Sequence, residues 1–87
     1  MAELLLPSQL TSLFVDLPRE VQVDAPNVDG AIDELDRHWP GLRDRLCEPG
    51  PALRRHIHVY VDRERAALET PIDERSRVHV IAAISGG

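Results

Sequence analysis

Asn27-Val28-Asp29-Gly30-Ala31-Ile32-Asp33-Glu34-Leu35-Asp36-Arg37-His38-Trp39 is the stretch on which the fold turns. Val28, Ile32, Leu35 and Trp39 recur at spacings of four, three and four, which is the period of a helix with one buried stripe. Asp33, Glu34, Asp36 and Arg37 fill the opposite face and read as a solvated one. Asn27 stands where its side chain can accept from the free N–H groups of a first turn. Asp29 near the start suits the positive end of the helix dipole. Pro40-Gly41 interrupts the pattern, and Leu42 and Leu46 predict a second short turn.

On both sides of this helix the period changes to two. Upstream, Arg19-Glu20-Val21-Gln22-Val23-Asp24 alternates polar and apolar between Pro18 and Pro26, as a half-buried strand does. Downstream, His56-Ile57-His58-Val59-Tyr60-Val61 alternates again, with Ile57, Val59 and Val61 predicted inward. Val78 to Ile84 is the predicted last strand, with Val78 and Val80 inward, and Ser85-Gly86-Gly87 runs off its end. The opening Glu3 to Leu6 forms a short apolar strand ending at Pro7, and residues 8–14 a brief helical turn. Glu48-Pro49-Gly50-Pro51 reads as a loop and Asp62-Arg63-Glu64-Arg65 as a charged turn, with a short return strand over 66–69. Thr70 to Glu74 reads as a turn with Ile72 tucked inward. One amphipathic helix has to cover one face of the sheet. The predicted class is therefore α+β, a mixed sheet of four to five strands with one main helix packed on it.

The 87 residues predict one domain, with 85–87 as an exposed tail. A chain of this size buries roughly 60–65% of its unfolded surface and has little room for a large cleft beside an intact core. Phe14, Trp39 and Tyr60 are its three aromatic residues, so the core is aliphatic. The net charge of −5 argues against nucleic acid, which calls for a basic face. Cys47 is the single cysteine, so no intrachain disulfide forms and a reduced compartment fits. There is no secretory-type start and no apolar run of about 20 residues for a membrane helix, so the expected location is cytoplasmic.

Leu4-Leu5-Leu6-Pro7-Ser8-Gln9-Leu10, Val21-Gln22-Val23-Asp24-Ala25-Pro26, Ala31-Ile32-Asp33-Glu34-Leu35, Trp39 to Leu46, Leu53 to Val61, and Val78 to Gly87 together cover nearly the whole chain. In this order they resemble the sulfur-carrier family of ubiquitin-like β-grasp proteins, the MoaD/ThiS type. The segment around the central strand is most similar to the carrier of O-phosphoserine-dependent cysteine synthesis. Two positions depart from the family pattern. The turn after the central strand reads Asp62-Arg63-Glu64-Arg65 where the family usually has Asn-Gly or Asn-Asp, and Ala82-Ala83 stands where proline often precedes the tail.

The resemblance implies a protein co-substrate rather than an enzyme, or the small subunit of a sulfur-transfer enzyme such as molybdopterin synthase. It binds no cofactor itself, and ATP is used by the activating partner. An E1-like adenylyltransferase/sulfurtransferase would adenylate the Gly87 carboxylate and convert it to a thiocarboxylate. A sulfur-accepting synthase would then discharge it, in cysteine, molybdopterin, thiamin or specialised-metabolite synthesis. Gly86, without a side chain, gives the tail clearance in a narrow channel. The same tail would serve a ubiquitin-like modifier joined through Gly87 to target amines, and a non-covalent β-grasp binding module would leave it idle. No nucleic-acid or membrane partner is expected. Two terminal glycines arise by chance in about 0.5% of chains, so the tail counts only together with its strand.

If Leu4, Leu6, Val59 and Val80 point inward, then Leu5, Tyr60, His79 and Ile81 lie outward on neighbouring strands and form a partner-binding patch. His56, His58 and His79 invite a zinc reading, but no carboxylate or cysteine is placed to complete it, and no metal site is predicted. Cys47 has no evident base beside it and reads as an incidental loop thiol. Trp39 reads as a cap on the core.

Overall fold

The computed structural model describes residues 1–83; Ile84, the end of the predicted last strand, and the Ser85-Gly86-Gly87 tail lie outside the described residues. In chain order the elements are β1 (Ala2–Leu5), α1 (Ser8–Thr11), β2 (Glu20–Val23), α2 (Val28–His38), α3 (Leu42–Leu46), β3 (Cys47–Glu48), β4 (Ala52–Leu53), β5 (Ile57–Val61), β6 (Glu64–Ala66) and β7 (Arg77–Ala82). Five strands form one mixed sheet in the order β2-β1-β7-β5-β6. The central pair, β1 and β7, is parallel, and the other pairings are antiparallel. This is the ubiquitin-like β-grasp.

Helix α2 lies on one face of the sheet because its stripe has nowhere else to go. Val28, Ala31, Ile32 and Leu35 are buried, as are Leu4, Val23, Val59, Val78 and Val80 from the strands. The helix start is closed from three sides. Asn27 accepts from the Gly30 N–H at 2.8 Å, the cap read from the sequence. The Val28 and Asp29 N–H groups donate to the carbonyls of Thr70 and Leu68. Segment 67–74 is thus held against the helix N-terminus, whose first N–H groups have no partner inside the helix. Leu68 and Ile72 of this segment are buried there. Trp39 packs half-buried against the core and donates its indole N–H to the Val15 carbonyl at 3.2 Å, which ties down the loop after α1.

Three local expectations need correction. The charged turn after β5 is only two residues long: Val61 pairs with Glu64, so Asp62 and Arg63 form the turn and the return strand starts at Glu64 rather than at 66. Both turn residues have positive φ, 49° and 76°, as the twist of a tight hairpin demands. Second, the Glu48-Pro49-Gly50-Pro51 loop is the tip of a small hairpin in which Cys47 pairs with Leu53 and Glu48 with Ala52. Two-residue strands carry too little alternation to be read, and only Gly50, at φ 103°, marks the reversal. Third, the acidic face of α2 is engaged. Arg43 of α3 donates to Asp29 at 2.6 Å and Asp33 at 2.8 Å, and Asp36 accepts from the Gly41 and Arg43 N–H groups. Those bonds supply α3 with the side-chain cap that Gly41 cannot.

Candidate functional site

The face of the sheet opposite α2 carries the predicted patch. Alternation on a strand sends neighbours to opposite faces. With Val78, Val80 and Val59 in the core, His79, Ile81 and Tyr60 turn outward. The register brings them together: Leu5 stands opposite His79, His79 opposite Tyr60, and Tyr60 opposite Arg65. Glu20 stands opposite Leu5 on the far side. One cross-strand row therefore runs Glu20, Leu5, His79, Tyr60, Arg65, apolar and aromatic in its middle and charged at its ends. Side chains directly opposite in such a row stand about 5 Å apart at Cβ. Leu5, Tyr60 and His79 are half-buried by one another, and Ile81 is 45% exposed.

Two further rows frame it. Below, Glu3 opposes Arg77, joined by an ion pair at 3.0 Å. Above, Ile81 opposes His58, whose Nδ1 lies 2.9 Å from the Arg65 guanidinium. That contact makes His58 Nδ1 the acceptor, since guanidinium only donates. The Ala83 N–H then donates to the His56 carbonyl at 2.7 Å, continuing the ladder past the end of β7. The four predicted patch residues thus lie on one face, on three adjacent strands, with Ile81 the one next to the end of β7. Gly86 and Gly87, the predicted reacting end, fall outside the described residues.

Cys47 is buried in β3 rather than carried on a loop. Burial pushes its thiol up, and Arg43 only partly offsets this. A high thiol pKa and no access make a poor nucleophile. The Arg43 guanidinium is held protonated chiefly by its hydrogen bond to Asp29. Among the described residues, no three His, Cys, Asp or Glu side chains come together as a metal-ligand set. None of the described helices is long and apolar enough to cross a membrane. The sequence reading missed the charged ends of the central row, Glu20 and Arg65. The two-residue turn sets Arg65 opposite Tyr60, and that register could not be read while the turn was taken as four residues.

Comparison with known proteins places the fold. No protein-family model and no curated protein sequence matches the chain. Solved structures do. The crystal structure of the Amycolatopsis orientalis BexX/CysO complex contains a chain superposing with a TM-score of 0.89 at 23% identity, over 100% of each chain. CysO of Mycobacterium tuberculosis gives 0.84 at 21% identity, covering 97% of this chain and 100% of that one. SAMP1 of Haloferax volcanii gives 0.77 at 28% identity, over 99% and 98%. These end-to-end likenesses establish the β-grasp and its ubiquitin-like topology.

Proposed function

We propose that the chain is a ubiquitin-like sulfur carrier whose reacting group is the carboxylate of Gly87. The observation that carries this reading is the setting of β7. It is the inner strand between β1 and β5, it presents His79 and Ile81 to the outer face, and its sequence continues within five residues of Ala82 to Gly86-Gly87. The whole-chain likeness to CysO, crystallised in complex with BexX, and to the small archaeal modifier proteins supports a carrier or modifier over an enzyme.

A carboxylate is a weak electrophile, so an E1-like partner first joins it to AMP from ATP and releases pyrophosphate. A sulfur nucleophile attacks the carbonyl carbon, the C–O bond to AMP breaks, and the sulfur stays as a thiocarboxylate. That anion is a nucleophile near neutral pH, as a thiolate is. A synthase then takes up the sulfur. Gly86 lets the chain enter a narrow channel. The row of Leu5, His79 and Tyr60, with Ile81 beside it, gives the partner a half-apolar face on which to seat.

The 28% identity to SAMP1, a small archaeal modifier protein, favours a second reading in which Gly87 is joined to amines of other proteins. Intact-mass analysis after incubation with an E1-like enzyme, ATP and sulfide separates the two. The carrier gains the mass of one oxygen-to-sulfur exchange, and deletion of Gly87 abolishes the gain. Conjugates of higher mass mark the modifier, and an unchanged mass with every cognate enzyme refutes both.

A further inference from the structure

At the β6 edge the sheet steps inward. Strand β6 pairs only with Val59, Tyr60 and Val61, and leaves Ile57 and His58 of β5 beyond its end. The step borders a cavity of about 220 Å³ lined by Leu53, Arg54, Arg55, Ile57, His58, Val59, Arg65 and Ala66. No carboxylate lines it. In a chain of net charge −5 this is a local reversal of sign. Arg37, Arg43 and Arg77 each hold a carboxylate, whereas Arg54, Arg55 and Arg65 have none within salt-bridge reach among the described residues.

Two of the three guanidinium groups are already positioned. Arg54 donates its Nε–H to the Asp44 carbonyl at 2.7 Å, which leaves both terminal amino groups free. Arg65 is held through one terminal nitrogen by His58 and keeps its remaining donors. Side chains fixed in advance lose less entropy on binding than free ones. Three arginines lining one small cavity with no carboxylate among them favour an anion there, though water and salt screen their exposed charges. A single carboxylate leaves two of the three charges unmatched. A diphosphate brings two or three negative charges and oxygens spaced for the forked donors of arginine.

We propose that this cavity binds a diphosphate group, either free pyrophosphate or the diphosphate of a nucleotide. The site stands whether or not Gly87 is ever activated, so it and the carrier reading fail separately. The test is a titration of the ¹⁵N-labelled full chain with sodium pyrophosphate, ATP and AMP at constant ionic strength, read as backbone amide shifts. Saturable shifts confined to residues 54–58 and 65–66 are expected, with AMP far weaker than pyrophosphate. Binding by both pyrophosphate and ATP assigns a nucleotide-borne diphosphate; binding by pyrophosphate alone assigns the free anion. Arg55→Gln and Arg65→Gln each weaken binding about tenfold, the loss of one charge-assisted contact. Their amide spectra away from the cavity stay superimposable on the parent, which shows that the fold is kept. Shifts spread equally over Arg19 and Arg37, or affinity unchanged in both variants, overturn the proposal. So does a hexaglutamate peptide that saturates the cavity more tightly than pyrophosphate, which would make the cavity a seat for an acidic protein.

Discussion

Replacing Arg63 by glycine should make this protein more stable, and replacing its neighbour Asp62 by glycine should make it less so. Arg63 sits at φ 76° and Asp62 at φ 49°. A left-handed backbone costs an ordinary L-residue roughly 1–2 kcal/mol, with Asp penalised less than most. Arg63 makes no side-chain hydrogen bond among the described residues to offset that cost. Arg63→Gly removes the strain and adds about 0.5–1 kcal/mol of unfolded-chain entropy, for a net gain of about 0.5 kcal/mol. Asp62 is different. Its N–H donates to the Arg77 carbonyl, and its carboxylate accepts from the Arg77 N–H at 3.0 Å, so the turn is tied to the start of β7. Asp62→Gly loses that carboxylate bond, worth about 1 kcal/mol, and gains little relief of strain. Urea unfolding followed by circular dichroism reads both changes. With a slope of about 1 kcal/mol/M for a chain this short, the midpoints move by roughly 0.5 M up and 1 M down. If Arg63→Gly lowers the midpoint, or the two variants shift together, backbone strain does not govern the turn.

Other outcomes can be read from the same structure. Gly30→Ala brings none of the roughly 1 kcal/mol that alanine normally adds to a helix interior. Its new Cβ would stand 3.1 Å from Pro26 Cδ and 3.2 Å from the Asn27 Oδ1 that caps the helix, so a clear rise in melting temperature contradicts the packing. Leu42→Ala empties a fully buried position between α2 and the small hairpin and costs about 3 kcal/mol by calorimetry; a loss under 1 would mean that the site collapses freely. Cys47 is pushed above its ordinary 9.0 by burial, so the unfolded thiol ionises first. The stability it contributes is complete below that value and is lost as pH rises through the higher folded one; Cys47→Ala should flatten the fall in urea midpoint above pH 9.0. Ile81→Asp, at an exposed position, should leave stability within about 0.5 kcal/mol yet abolish binding to an activating enzyme; undiminished binding removes the patch from the partner interface.

The helix and the strands with three or more alternating residues were legible because one buried face imposes one period. Val28, Ile32 and Leu35 are all in the core, and Asn27 caps as its position promised. The outward patch was legible for the same reason, since fixing Val59 and Val80 inward leaves Tyr60, His79 and Ile81 only one direction. What escaped was set by contacts between distant positions. Arg43 finds Asp29 fourteen residues away and Asp33 ten away, and no local pattern announces such a grip. The Cys47–Leu53 hairpin is stabilised by its neighbours rather than by its own alternation. The two-residue length of the Asp62-Arg63 turn hid because Arg63 does not favour the left-handed backbone it adopts. The pair is held there by the register of β5 and β6 and by Arg77.

The parallel pairing of β1 with β7 also has a mechanical consequence. Pulling residue 2 and residue 82 apart would load the two strands in shear, with the cross-strand bonds sharing the force instead of parting one at a time. Strand β7 is braced on its other side by five paired residues of β5, so a tug along its axis is resisted from both flanks. An enzyme that drew the following residues into a tunnel would be hauling on a cable anchored along both flanks. The domain could be gripped by its end without being unravelled.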